Sequence, residues 1–307
     1  MSRILIVGPG AIGGALACRW VEAGREALLL GRDAASEARL ARRGLSFTGT
    51  SGTTRLIRTG LVSARASGPK PYASAAFFCV KSHQTARAAK AARNYIGPET
   101  AVVGLQNGVG HEKVLRKAFG AKRVVIGICY IAADRPGPFT VAHNGGKDVH
   151  LAVNKDNAQA ARSAAALLGL GGWSVTLEKD EDTMLWTKLC FNAAGNPLGA
   201  LCNLSNGELA RDPALRELLV GSLREAVTAA RKDGHKLLYP DMESLIVKTY
   251  PNDSRQRNSM LQDLQAGRRT EADAIIGPIL AAARRRKLPL KLLPKLDRMV
   301  KRLERAL

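Results

Sequence analysis

The chain has 307 residues and a mass of 32.8 kDa, with 47 Lys and Arg against 26 Asp and Glu, a formal net charge of +21. At 46% hydrophobic and 24% charged residues it buries a sizeable core, which excludes disorder, and no apolar stretch approaches the ~20 residues of a transmembrane helix. The five cysteines (Cys18, Cys79, Cys129, Cys190, Cys202) are scattered and form no C-x-x-C pair, which argues for a reducing cytoplasm and against a disulfide framework or a zinc site.

In chain order, Met1-Ser2-Arg3 runs straight into apolar Ile4–Val7, so a strand and not a secretory leader is expected there. Further β-rich runs follow at Ala27–Leu30, Ala75–Val80, Ala101–Leu105, Val124–Ile128 and Val149–Val153. Segments with helical spacing, such as Gly14–Ala23 and Thr85–Arg93, separate several of them. That alternation predicts a mostly parallel sheet with crossover helices. Leu45–Leu61, rich in Thr and Gly, predicts a local hairpin, and Phe139–Val153, with Gly145-Gly146, an antiparallel addition. Ser174–Leu177 is the last strand-like run. From Glu181 helical periodicity dominates, over Glu181–Phe191, Pro213–Asp233, Met242–Thr249, Thr270–Arg286 and Pro294–Arg305. Asp212-Pro213 reads as a cap and first turn, and Gly234 as the stop of that helix. The length predicts about two domains. They are placed at residues 1–177, α/β, and 178–307, all-α.

Gly8-Pro9-Gly10-Ala11-Ile12-Gly13 matches G-x-G-x-x-G, directly after the first strand and at the start of an apolar helix. The first glycine permits a tight turn, the second lets backbone approach a pyrophosphate, and the third lets helix pack closely on strand. In that context the pattern predicts a Rossmann-type dinucleotide-binding domain. The second strand ends in Leu30-Gly31-Arg32, where an NAD site would normally place Asp or Glu. Arg32 there pairs with a 2′-phosphate, which favours NADPH over NADH. The other reading makes it one surface arginine among many, with Asp33 serving a ribose.

Ligands of such sheets bind outside the carboxyl ends of the strands. Those ends carry Lys81-Ser82-His83-Gln84-Thr85, Gln106-Asn107-Gly108 and Cys129-Tyr130 onward. His83 has no visible carboxylate partner and reads as solvated. His111, His143, His150 and His235 share no spacing, so neither a metal site nor a nucleophile triad is expected. In Leu185–Leu198, Lys188 and Asn192 are four apart and share a helix face, with Asn196 four further on. With Trp186, Phe191 and Leu198 around them, that row reads as a functional face; the alternative is an exposed polar stripe.

GPGAIGG at 8–14, Arg32, VKSHQT at 80–85, LQNGVGHE at 105–112, W-x-K-L-x-x-N-x-x-x-N-P-L at 186–198, NGEL at 206–209 and NSMLQDL-x-x-G-R-x-T-E-x-D-x-I-x-G at 258–277 are ordered along both domains. Together they resemble the ketopantoate reductase (2-dehydropantoate 2-reductase) family over essentially the whole chain. The resemblance implies reduction of ketopantoate to pantoate by NADPH, on the route to pantothenate and coenzyme A, with no metal and with substrate bound between the domains. It makes Lys188 the general acid, Asn192, Asn196 and Asn206 substrate-contacting amides, and Ser259 the partner of the substrate carboxylate. Gly8, Pro9, Gly10, Ala11, Ile12, Gly13, Arg32, Lys81, Asn107, Ala133 and Glu271 would form the NADPH site, Asn107 facing substrate as well. The departures are Pro9 in the glycine loop and Ala272 where a larger aliphatic residue is usual.

The chemistry fits those residue types. Hydride attack on a 2-keto acid develops charge on the carbonyl oxygen, and a Lys ammonium in a partly desolvated cleft supplies both a proton and a positive partner. The runner-up is a related NAD(P)-dependent reductase of another keto acid. A non-catalytic NADPH-binding sensor is a further alternative, against which the Lys188 row speaks. Nucleic-acid binding is prompted only by charge, and 5% aromatics leave little for base stacking. The expected partners are therefore a small-molecule keto acid, with no nucleic acid and no membrane, for a cytoplasmic monomer or homodimer. The basic run from Arg284 to Arg305 reads as a solvated helix face, with a contact surface as the alternative. Residues 1–180 hold 25 basic and 11 acidic residues and 181–307 hold 22 and 15, so the excess is a distributed background that favours anionic ligands.

Overall fold

In the computed structural model, which describes residues 3–67, 72–252 and 256–307, the apolar runs of the first half become strands. β1 (Ile4–Val7) leads into α1 (Ala11–Glu22), β2 (Ala27–Leu30) and α2 (Ala34–Arg43). β3 (Leu45–Thr48), β4 (Thr54–Ile57), β5 (Leu61–Ser63) and the short α3 (Ala64–Ser67) follow, then β6 (Ala75–Phe78), α4 (Thr85–Ala92), β7 (Ala101–Gly104) and α5 (His111–Phe119). Two long strands, β8 (Val124–Gly137) and β9 (Thr140–Ala152), precede α6 (Ala158–Leu170) and β10 (Ser174–Glu178). The rest is helical: α7 (Glu181–Cys202), α8 (Asn206–Arg211), α9 (Pro213–Lys232), α10 (Met242–Thr249), α11 (Ser259–Gln265), α12 (Ala272–Arg285) and α13 (Leu293–Glu304). The chain forms two compact units, Met1–Gln106 with Gly110–Glu181, and Asn107–Val109 with Asp182–Leu307.

In the first unit β5, β2, β1, β6, β7 and β8 lie side by side in that order, all parallel. The chain works outward from β1 to β5 and then returns to the other side of β1. The strand order therefore reverses there, and the loop after β1 opens at the switch point where doubly wound sheets bind ligands. β1, β2, β6 and β7 are buried at every residue, because helices cover both faces and no polar-apolar alternation is needed. In α1, Leu16, Cys18 and Trp20 sink into this core, each large apolar side chain contributing about 1.5–3 kcal/mol.

The expected hairpin over 45–61 forms from β3 and β4, and β5 leaves it to join the parallel sheet. The expected short strand at Val124–Ile128 is corrected: β8 continues to Gly137. Its second half, with Asp134, Arg135 and Pro136, has poor strand propensity, but β9 pairs with it antiparallel and supplies the backbone partners. The ladder slips between Tyr130 and Ala132 and again between Ala132 and Ala133, as a bulged ribbon does.

The second unit is built around α7, which is buried nearly all round. Its expected extent is also corrected: the helix runs through Pro197 to Cys202. Proline there removes the amide that would bond the Ala193 carbonyl. Burial of Ala193, Ala194, Leu198 and Ala200 in one cluster with Ile246, Tyr250 and Met260 outweighs that local loss. Among the described residues no helix is long and apolar enough to cross a membrane.

Capping follows the reading of the sequence at α9. Asp212 accepts the Leu215 N–H at 3.0 Å, and Gly234, with φ at +96°, follows the last turn. Part of the basic run is not simply solvated. Arg285 and Arg286 both reach Asp233, whose Oδ1 takes the Arg286 Nε at 2.9 Å. His235 closes the cluster, with Nε2 3.6 Å from Asp233 and Nδ1 2.7 Å from Asp182, while its ring stacks on Trp186. The Arg285 hydrogen bond, more than the others, lowers the Asp233 carboxyl from 3.8 to about 2. A carboxylate depressed in the folded state stabilises above its unfolded pKa, and that stability is lost as pH falls through the folded value. Asp233→Asn is therefore expected to lower Tm at pH 7, with the gap to wild type closing between about pH 4 and pH 2. Thermal melts across that range check it; a gap independent of pH overturns it.

Candidate functional site

Glycines shape the loop after β1 for three separate reasons. Gly8 has φ at +91°, and a Cβ there would meet Val80 Cγ1 at 2.6 Å, while its own N–H bonds the Leu30 carbonyl at 2.9 Å. A Cβ on Gly13 would lie 2.3 Å from the Gly8 oxygen, so α1 can approach the strand only without a side chain. Gly10 differs: its φ is −82°, and a Cβ would meet nothing within 4 Å. Neither a positive φ nor crowding by the fold demands glycine at that position. Space over Gly10 is what a group in close backbone approach requires, and α1 starts there with no side-chain cap and no acidic residue in its first turn. The cradle fits a dinucleotide pyrophosphate. Gly10→Ala is thus expected to keep the wild-type Tm while weakening dinucleotide binding, one misplaced methyl being worth roughly 10–200-fold. Calorimetric titration checks this, and unchanged affinity overturns it.

Arg32 and Lys81 leave the two strand ends that flank the glycine loop, those of β2 and β6. The Arg32 side chain is 80% exposed, with Nε 3.5 Å from Asp33 Oδ2. Asp33 itself is engaged at the start of α2, where Oδ1 accepts the Ser36 N–H at 2.7 Å. That bond, above all, holds its carboxyl below the usual carboxylate range. Lys81 is half-buried and His83 exposed on the turn after β6. Ala133 is buried within β8, opposite His143 of β9. The sequence reading missed Arg135, two residues on, whose Nη1 donates to the Pro9 carbonyl at 3.4 Å and so adds a cation beside the glycine loop. Gln106, placed at a strand end by the sequence, was given no role there. That side chain is 4% exposed and donates to Thr85 Oγ1 at 2.8 Å, tying the start of α4 to the end of β7.

In the second unit α7 buries every residue from Thr183 to Pro197 except Lys188, Phe191 and Asn192. Lys188 and Asn192 share its one half-open face, and Asn196 continues the row at 5% exposure. Asn192 Nδ2 donates to Asn107 Oδ1 at 3.4 Å. The Asn107 segment is seated on α12: the Val109 N–H bonds the Ala274 carbonyl at 3.3 Å, and a Cβ on Gly108 would lie 2.4 Å from that same oxygen. Glu271, at 6% exposure, is the N-cap of α12. The structure thus brings Lys188, Asn192, Asn196 and Asn107 into one region of the unit.

Asn206 and Ser259 open α8 and α11. Ser205 and Glu208 hold the start of α8 by a reciprocal capping box, and the Asn206 N–H bonds the Gln256 carbonyl at 3.1 Å. Asn206 Oδ1 is buried and has no hydrogen-bond partner among the described residues. A buried amide oxygen left so is costly unless something donates to it. Asn258, another residue the sequence reading passed over, links this region to α7. A Cβ on Gly199 would sit 2.2 Å from its Nδ2, and one on Gly195 would sit 1.9 Å from the Tyr250 hydroxyl. Two glycines four apart on one helix were the available signal of such close approach. Among the described residues no group of three His, Cys, Asp or Glu is placed to hold a metal ion.

Comparison with known proteins shows the family. The family described as Ketopantoate reductase PanE/ApbA matches residues 4–156, and its C-terminal counterpart matches residues 180–304. A 2-dehydropantoate 2-reductase of Halobacterium salinarum is 31% identical over 291 residues, covering 92% of this chain and 92% of its own. Among solved structures, a PanE/ApbA family ketopantoate reductase from Ralstonia eutropha superposes with a TM-score of 0.83 at 27% identity, covering 99% of both chains. D-mandelate dehydrogenase, in a ternary structure with NADH and anilino(oxo)acetate, has the same fold, with a TM-score of 0.89 at 21% identity over 99% of this chain and 98% of that one.

Proposed function

The chain belongs to the ketopantoate reductase family of oxidoreductases, and from that premise we propose that it reduces 2-dehydropantoate to pantoate with NADPH. The observation that carries the reading is the row Lys188, Asn192, Asn196, which runs from the half-open side of an otherwise buried helix to a buried amide, with Asn107 hydrogen-bonded to Asn192. A bound reduced nicotinamide supplies hydride. The protein's share is to hold that dinucleotide, orient the keto acid and deliver a proton.

Gly8 through Gly13 and the N-terminus of α1 hold the pyrophosphate, Arg32 and Lys81 take the 2′-phosphate end, and Asn107, Ala133 and Glu271 complete the NADPH contacts. Asn192, Asn196 and Asn206 orient substrate by hydrogen bonds without competing for the proton, and Ser259 receives its carboxylate. The open Oδ1 of Asn206 supports this, since it accepts a hydrogen bond that a hydroxyl group donates. Lys188 Nζ gives its proton to the carbonyl oxygen as negative charge develops there. In this reading the protein works in the cytoplasm as a monomer or homodimer.

The test is a steady-state assay of NADPH oxidation with ketopantoate, run beside a panel of other 2-keto acids and repeated with NADH. Turnover with ketopantoate and NADPH well above the rest is the expected result. Preference for another keto acid replaces the substrate, and inactivity with all of them in a protein that binds NADPH points to the sensor reading.

A further inference from the structure

A buried charge stands behind the turn that carries Arg32. Glu37 of α2 is 1% exposed, and carboxylates are almost never so buried unless paired. Four donors reach it. Oε1 accepts the Gly31 N–H at 2.8 Å and an Arg65 guanidinium N–H; Oε2 accepts the Ser63 hydroxyl at 3.0 Å and the Arg65 backbone N–H at 3.4 Å. An ionised carboxylate offers about four acceptor positions, so Glu37 keeps none for a ribose hydroxyl. The guanidinium of Arg65 cancels its charge.

The sheet register creates this meeting. β2 pairs with β5 so that Leu29 lies opposite Ser63, and Gly31 and Arg65 therefore leave neighbouring strand ends together. A Cβ on Gly31 would lie 3.3 Å from Glu37 Cγ, so the turn rests on the glutamate. On the other side of Arg32, Asp33 is held as the cap of α2. Both neighbours of Arg32 are thus pinned, while its side chain is 80% exposed. A buried ion pair is a poor source of net stability, and its better-attested use is to specify one arrangement.

We propose that Glu37, neutralised by Arg65, is a positioning residue for cofactor choice: it anchors Gly31 so that the turn presents Arg32 to a 2′-phosphate, and its own charge neither repels that phosphate nor serves a ribose hydroxyl. The proposal rests on the reading of Arg32 as the 2′-phosphate partner.

The experiment measures Kd for NADPH and NADH by titration, with Tm, for wild type, Arg32→Ala, Glu37→Gln and Gly31→Ala. Glu37→Gln removes the charge that organises the donors, and Gly31→Ala sets a methyl 3.3 Å from Glu37 Cγ, tight enough to shift the turn against the glutamate while the Glu37 carboxylate is kept. Each is expected to erode the NADPH preference about fivefold, the scale of one lost hydrogen bond, with NADH affinity nearly unchanged. If Arg32→Ala abolishes the preference while both other variants keep it, the positioning role is overturned and the 2′-phosphate reading stands. Equal weakening of both cofactors also overturns it, since that is the result of a purely structural tie. A preference untouched by Arg32→Ala removes the premise and the proposal together. Should Glu37→Gln fail to fold, Gly31→Ala decides between these outcomes.

Discussion

Lys188→Ala is expected to lower kcat with ketopantoate and NADPH by roughly 10²–10⁴, the contribution usual for a positioned general acid. Lys188 sits on the half-open side of α7, so truncating it leaves no cavity in the core formed by Leu189, Ala193 and Leu198. The fold and NADPH affinity are therefore expected to stay near wild type. The loss falls on kcat and kcat/KM together, because the proton is needed as the transition state forms. Lys188→Arg keeps the charge but holds its proton too tightly to give it up, so it is expected to recover little. Steady-state kinetics with a parallel NADPH titration decide the matter. Unchanged turnover in Lys188→Ala would end the assignment.

Arg32→Ala is the second large effect, and it appears in selectivity. A charge-assisted hydrogen bond contributes about 1.5–3 kcal/mol, so loss of the guanidinium is expected to weaken NADPH binding by roughly 10–150-fold. NADH has no 2′-phosphate and is expected to change less than about twofold. Stability should hold, because the Arg32 side chain is 80% exposed and the nearby carboxylate of Asp33 keeps its own capping bond to Ser36. Equal losses for both cofactors refute the role. Together with the Glu37 and Gly31 variants, the measurement tests the proposed contact of Arg32 with phosphate separately from the proposed aiming role of the other two.

How much of this was legible in the sequence differs from element to element. Ile4–Val7 and Ala27–Leu30 were read to the residue, because short apolar runs bounded by glycine and charge have few alternatives. The glycine loop was legible for the same local reason. Asp212 and Gly234 showed where α9 begins and ends through capping chemistry that needs no distant partner. The far half of β8 was not legible, since Asp134-Arg135-Pro136 becomes strand only when β9 lies beside it. Pro197 likewise masked the continuation of α7, which depends on what packs around Ala193 and Leu198.

For the candidate site the division is sharper. Spacing alone placed Lys188, Asn192 and Asn196 in one row, and an ordered set of motifs pointed to the family. Periodicity and residue chemistry are properties of the chain itself, and they determined fold class, the phosphate loop and the polar helix face. Only the tertiary structure joined Asn107 to Asn192 across 85 positions, set Arg135 beside Pro9, and filled Glu37 with donors from Gly31, Ser63 and Arg65. Such contacts come from strand order and register, which bring remote segments together, and no local pattern encodes which strand end will neighbour another.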